Sequence, residues 1–266
     1  MAGGAGMAGV AGVVLSAGAG TRLWPLTAER PKAMCPVDEV PLVELALDRV
    51  RPHVAGDGSL AVNLHHGGEQ IDAHVAPGVH RSWERPRALG TAGAIGALQP
   101  WIGGRDVLVT NADAWLARSL DLGAFVDGWD RERTRLLCVE DPARGDFGTL
   151  RYCGVALIPA AEAARLAPVP SGLYEVSWRQ AREAGRLDLV VTDAAFIDCG
   201  TPADYLAANL AASGGRAVIS EGAAVGPGAR IERSVVWSGA TVVAGEVLED
   251  AIRTPKATVL VRGIRR

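Results

Sequence analysis

The stretch VVLSAGAGTRLWPLTAERPKAMCPVDEVP, Val13–Pro41, decides how the rest of the chain is read. Val13, Val14 and Leu15 form a short apolar run of the kind that makes a buried strand. Gly18 and Gly20 follow, where the backbone can turn sharply and bring N–H groups close to a ligand. Arg22 comes at once, and Lys32 follows ten residues later behind Pro31. Bare amides followed by two fixed positive charges suit a triphosphate. Two other phosphate signatures are absent. The dinucleotide fingerprint needs a third glycine where this chain has Leu23, and no Gly-Lys-Ser/Thr of a P-loop follows.

At 266 residues with 48% apolar content, the chain can hold one large α/β domain and a small appendage. A net charge of −3 argues against a general nucleic-acid or membrane-surface binder, which carries a basic excess. Cys35, Cys138, Cys153 and Cys199 show neither CxxC pairing nor metal-ligand spacing with histidine, and read as buried thiols of a reducing, cytoplasmic protein. Residues 1–9 read as a flexible Gly/Ala-rich tail without the basic start of a signal peptide. No apolar run approaches transmembrane length.

Helices are expected over Pro41–Val50, Gly68–Val75, Gly90–Leu98 and Tyr174–Ala184, and strands over Leu60–Leu64, Val79–Trp83, Asp106–Asn111, Leu136–Glu140, Tyr152–Ile158, Leu189–Thr192 and Ala195–Asp198. Alternating strands and helices predict a mostly parallel sheet with helices on both faces, over residues 10–214. Thr201, Pro202 and Asp204 mark a capped helix start. Beyond Gly215 the pattern changes. Ile219, Val225, Ile231, Trp237 and Val243 recur every six residues, with Gly222 and Gly228 three behind the first two. This beat predicts a short parallel β-helix of one or two coils within residues 215–266.

Two aspartates stand at predicted strand ends. Asp113 follows Asn111 and Ala112 after the Asp106–Asn111 run, and Asp198 closes Ala195–Asp198 before Cys199-Gly200-Thr201. Ligands of open α/β sheets bind at the carboxyl ends of strands, and a carboxylate there suits Mg2+. Each aspartate alone also suits a turn or helix cap.

The spaced pattern Leu15-Ser16-Ala17-Gly18-Ala19-Gly20-Thr21-Arg22-Leu23, Pro25-Leu26-Thr27, Pro31-Lys32, Pro36-Val37 and Pro41 resembles the signature of the sugar-1-phosphate nucleotidyltransferases. The resemblance runs over about Val10–Asn209 and includes Leu89-Gly90-Thr91-Ala92-Gly93-Ala94 and Gly145-Asp146-Phe147-Gly148. Asn63-Leu64-His65-His66 and the C-terminal beat point to the mannose-1-phosphate guanylyltransferase and N-acetylmuramate-1-phosphate uridylyltransferase branch. The resemblance implies a Rossmann-like, three-layer α/β domain of the GT-A-like kind. It implies nucleotide contacts from Leu15, Ala17, Gly18, Gly20, Thr21, Arg22, Gly90, Thr91 and Gly93, with Arg22 and Lys32 on the phosphates. Asp113 and Asp198 would ligate Mg2+, with Arg22, Lys32 and Asp113 catalytic, and Asn111, Gly148 and Glu175 would contact the sugar. Glu175 also reads as a solvated helix-face residue, and the His65–His66 pair as structural.

One departure stands out. Many relatives carry Glu-Lys-Pro after the metal aspartate, whereas this chain has Glu140-Asp141-Pro142 and no lysine. The implied reaction joins a nucleoside triphosphate and a sugar 1-phosphate, with GTP and mannose 1-phosphate favoured and uridylyl transfer second. A silent nucleotide-binding regulator is the alternative that the missing lysine keeps open. A dinucleotide oxidoreductase fits poorly, because no acid ends the second strand. The C-terminal repeats can pack on the catalytic domain or make a homo-oligomer contact.

Overall fold

The computed structural model describes residues 9–261, so the tail expected over residues 1–9 lies, but for Gly9, outside the described residues. The chain forms two compact units. One contains residues through Gly18 and Val43–Phe196; the other contains Ala19–Leu42 and the chain from Ile197 onward.

The first unit is built on a seven-stranded sheet. Its strands are β1 (Val10–Leu15), β2 (Leu60–Leu64), β3 (His80–Trp83), β4 (Asp106–Asn111), β5 (Thr134–Glu140), β6 (Leu150–Ile158) and β7 (Leu187–Val191). They lie in the order β7-β5-β6-β4-β1-β2-β3. All neighbours are parallel except β6, which runs antiparallel to both β4 and β5. The expectation of a mostly parallel α/β sheet is borne out. The central strands are near-continuous apolar runs because both sheet faces are covered. Along β1, Ala11 and Val13 join the cluster that includes Ile95, Val109 and Trp178. Gly12 points the other way: a Cβ there would meet Val50 at 2.5 Å and Leu60 at 2.7 Å. Helix α1 (Leu42–Val50) thus brings Val50 against one face, while α3 (Gly90–Ala97) covers the opposite one; α2 (Gly68–His74) follows β2.

Several expected boundaries move, two of them at prolines. Pro41 was expected in the first turn of α1, but it closes a hairpin pairing Pro36 with Pro41 and Val37 with Val40. Both turn residues, Asp38 and Glu39, have positive φ (48° and 69°), the geometry that matches strand twist in a two-residue hairpin. The helix expected over Gly90–Leu98 ends at Ala97, and a new one starts at Gln99–Ile102 with Pro100 in its first turn, where the missing N–H costs nothing.

In the second unit, α4 (Pro202–Ala212) starts as expected, with the Thr201 side chain accepting the Asp204 N–H. The C-terminal strands stack in coils: the first three pair in parallel with strands 17 residues later, Val218 with Val235, Val225 with Val242, and Ile231 with Leu248, and the last two pair antiparallel. Corner glycines repeat with the same interval, Gly222 with Gly239 and Gly228 with Gly245, all at φ between 72° and 82°. The third corner uses Arg233 and Asp250, also at positive φ, joined by a 2.8 Å hydrogen bond. The expected six-residue beat holds for Ile219, Val225 and Ile231. It fails at Trp237 and Val243, because the third side of the coil is one residue shorter. The apolar positions in register are Val236 and Val242, both fully buried, while Val243 is 59% exposed.

Candidate active site

Strands β1 and β4 run side by side with Leu15 opposite Asn111, so both end at one edge of the sheet. The Ala112 N–H donates to the Leu15 carbonyl across this edge at 3.0 Å. A cavity of about 190 Å³ opens there. Leu15, Ala17 and Gly18 line it from the first turn, Asn111 and Asp113 from the second, and Gly90 and Thr91 from the start of α3. Residues far apart in sequence are thereby gathered at the carboxyl end of a parallel sheet, where α/β folds bind ligands.

The walls are shaped by close backbone approach. Gly90 sits at φ +71°, and a Cβ there would lie 2.6 Å from the Ser171 carbonyl oxygen. The same oxygen accepts the Ala92 N–H at 3.0 Å, and Thr91 Oγ1 accepts the Leu173 N–H at 2.9 Å. Gly93 does not line the cavity; a Cβ there would stand 2.3 Å from the Val169 carbonyl oxygen, so its part is to let α3 pack closely. Arg49, on α1, donates to Thr110 Oγ1 at 2.7 Å and to the Ala114 carbonyl at 2.8 Å, bracketing the Asn111–Asp113 turn. Burial pushes the nearby Tyr152 hydroxyl well above its usual range, with Cys153, Cys138 and Asp113 adding to the shift.

A second set of residues lies beneath these walls. Asn63 lines the cavity yet is only 3% exposed. Its Oδ1 accepts the Ser16 N–H at 2.6 Å, and its carbonyl accepts the Ser16 hydroxyl at 2.6 Å. Its Nδ2 donates to Glu84 Oε1 at 2.8 Å, and Glu84 Oε2 accepts the Leu89 N–H at 2.6 Å. The amide has one consistent orientation here, since a carboxylate only accepts and a backbone N–H only donates. His65 Nδ1 lies 2.8 Å from the Glu84 carbonyl, which fixes the proton on Nδ1, and His66 packs edge-on at 4.5 Å. Sequence reasoning singled out neither Arg49 nor Glu84, because their partners stand 61 and 21 positions away.

The rest of the glycine turn, with Arg22 and Lys32, belongs to the second unit. Thr21–Leu23 forms a short helical turn opened by Gly20 at φ +60°. A Cβ on Gly20 would meet Lys32 Cβ and Thr27 Cγ2, each at 2.9 Å. Lys32 is 9% exposed, and its Nζ lies 3.7 Å from Asp198 Oδ1. Arg22 approaches Asp198 Oδ2 at 3.9 Å while its side chain stays 71% exposed. Arg22, Lys32 and Asp198 are thus brought together. Gly148 and Glu175 are exposed and do not line the 190 Å³ cavity; Glu175 instead folds back over Gly172.

Among the described residues no group of three or more His, Cys, Asp or Glu side chains gathers to cage a metal ion. Lone carboxylates do suit Mg2+, which keeps several waters and shares its oxygen ligands with substrate phosphates. The residues present therefore fit a substrate-associated Mg2+ rather than a protein-caged metal. No helix among the described residues is long and apolar enough to cross a membrane.

A family model, nucleotidyl transferase, matches residues 11–148, the span that holds β1, the Gly18 turn, α3 and Asp113. The chain belongs to the nucleotidyl transferase family. It is similar to an N-acetylmuramate alpha-1-phosphate uridylyltransferase of Caulobacter vibrioides, with 29% identity covering 74% of this chain and 94% of that one. A second uridylyltransferase of the same description, from Neisseria meningitidis serogroup B, is 34% identical over 38% of this chain and 46% of the relative. In fold, the chain is similar to a structure described as a mannose-1-phosphate geranyltransferase from Thermus thermophilus, with TM-score 0.71, 18% identity and 95% of both chains covered. This nucleotidyl transferase is an enzyme of the sugar-1-phosphate nucleotidyltransferase class, as its sequence led us to expect.

Proposed function

We propose that the protein transfers a nucleotidyl group from a nucleoside triphosphate to a sugar 1-phosphate, with UTP as the leading donor. The observation that carries the reading is the cavity joining the Leu15–Gly18 turn, the Gly90–Thr91 turn and Asp113 at one sheet edge. The preference for UTP rests on the curated relatives, described as uridylyltransferases. GTP with mannose 1-phosphate is the second reading, favoured by Leu89-Gly90-Thr91-Ala92-Gly93 and by the C-terminal coils.

A sugar-phosphate oxygen forms a bond to the α-phosphorus as the bond from that phosphorus to the bridging oxygen of the β-phosphate breaks. Pyrophosphate leaves. The nucleophile is already an anion, so no general base is needed, and catalysis rests on positioning and charge neutralisation. We assign the amides of Gly18, Gly20 and Thr21, with the Arg22 guanidinium, to the departing pyrophosphate. Lys32 is assigned to the α-phosphate and the incoming sugar phosphate. Leu15, Ala17, Gly90 and Thr91 bound the nucleoside, and Asn111, Gly148 and Glu175 are assigned to the sugar. Asp113 and Asp198 would hold Mg2+, which when bound neutralises phosphate charge. Buried thiols fit the cytoplasmic setting that the substrates imply.

Mass spectrometry of products from UTP or GTP, each paired with N-acetylmuramate 1-phosphate or mannose 1-phosphate, separates the two readings. A UDP-sugar is expected; GDP-mannose as the main product would reverse the order of preference. Neither product from any pair would refute the transfer itself.

A further inference from the structure

We propose that Glu84 is a positioning residue for nucleotide binding: through Asn63 it fixes the Ser16–Gly18 turn and the Leu89–Thr91 turn at a set separation. The inference rests on the reading of the cavity as a nucleotide site. Glu84 touches no part of that cavity and is 1% exposed. Each of its oxygens is taken by an N–H, Asn63 Nδ2 on one side and Leu89 on the other. Asn63 in turn holds the N–H and the hydroxyl of Ser16, the residue before Ala17 and Gly18. Leu89 is the residue before Gly90, whose N-terminal side is thereby held while Ser171 holds the other side. The bonds run in series from one wall of the cavity to the other, through side chains that are all buried.

Burying a carboxylate costs free energy that an apolar side chain of similar size would not. What the carboxylate supplies is a pair of strong acceptors on one rigid group, each bond charge-assisted. A neutral amide cannot reproduce it. In Glu84→Gln, one end still accepts a hydrogen bond, but the other presents an NH2 to an N–H donor. One link must open, and the two walls are then free to shift relative to each other. Displacements of about 1 Å at a binding site are enough to cost orders of magnitude.

The test compares wild type, Glu84→Gln, Asn63→Ala, Glu84→Ala and the double variant Asn63→Ala/Glu84→Ala. Calorimetry gives Kd for UTP and GTP, and initial rates give KM for each substrate. We expect Glu84→Gln to raise Kd and KM for the preferred nucleotide by roughly tenfold to a hundredfold, the loss of one hydrogen bond to a charged group. The KM for the sugar phosphate should change by less than about threefold, a split between the two substrates that general destabilisation would not produce. The double variant should bind no more weakly than the worse single variant, because the bonds act as one chain. Wild-type Kd in Glu84→Gln, or additive losses in the double variant, would overturn the inference. If the alanine variants do not fold, Glu84→Gln and Ser16→Ala decide it, the latter again expected to weaken nucleotide binding. Failure of wild type to bind either nucleotide would overturn the proposed function first, and this inference with it.

Discussion

Lys32 carries a positive charge at 9% exposure, on a short turn set by Pro31 and braced by Gly20. The Asp198 carboxylate is 3.7 Å away, so the amine is charge-balanced and kept partly dehydrated, where its interaction with a phosphate is strengthened. Lys32→Ala is expected to lower kcat by roughly 10²–10³, the loss seen when a donor to transition-state charge is removed. Steady-state rates check this, and unchanged turnover would remove Lys32 from the mechanism. The four cysteines give a second residue-level prediction. Burial pushes the thiols of Cys35, Cys138 and Cys153 up to about 12, so they stay protonated, and Cys199 is fully buried. A thiol reagent at about pH 8 should therefore label none of them in the native protein and all four after unfolding. These features were partly legible. Lys32 and Asp113 stand out in the sequence because their neighbours are distinctive along the chain. Glu84 and Arg49 do not, because what makes them important is a partner brought near by folding.

At the level of elements, local signals were dependable wherever the chemistry is local. Thr201, Pro202 and Asp204 gave the start of α4 because capping uses atoms within one turn. Thr201→Ala should cost about 1 kcal/mol, read as a lowered Tm. The Asp38–Glu39 turn was missed because neither residue is a glycine. Its positive φ values are supported by distant groups, the Asn209 side chain accepting the Asp38 N–H at 3.0 Å. Gly90 offers a sharper test. An alanine there would be strained at φ +71° and would collide with the Ser171 carbonyl at 2.6 Å. Gly90→Ala is expected to weaken nucleotide binding by more than tenfold while costing about 1–3 kcal/mol of stability. Thermal melts beside nucleotide titrations separate the two effects, and normal binding would show that the turn tolerates displacement.

On the scale of the whole molecule, the β-α alternation announced an α/β sheet, but not the antiparallel insertion of β6 between β4 and β5, which depends on pairing between distant strands. The six-residue beat announced the coils, while the five-residue side that shifts their frame is invisible until strands are paired. The second unit shows what those coils do for the segment carrying Arg22 and Lys32. Trp237 is fully buried, donates to the Tyr205 hydroxyl at 3.0 Å and lies 4.1 Å beneath the Arg30 guanidinium. Tyr205 passes the connection on to the Pro36 carbonyl. Trp237→Ala should therefore cost about 3–5 kcal/mol and loosen the 19–42 segment, seen as faster amide exchange there and a fall in activity. The most direct test of the central claim is pyrophosphate release with Mg2+, crossing nucleoside triphosphates with sugar 1-phosphates and using Asp113→Ala as the blank. The account predicts release that requires one of each substrate and disappears in Asp113→Ala. Release without a sugar phosphate, or undiminished release from Asp113→Ala, would contradict it.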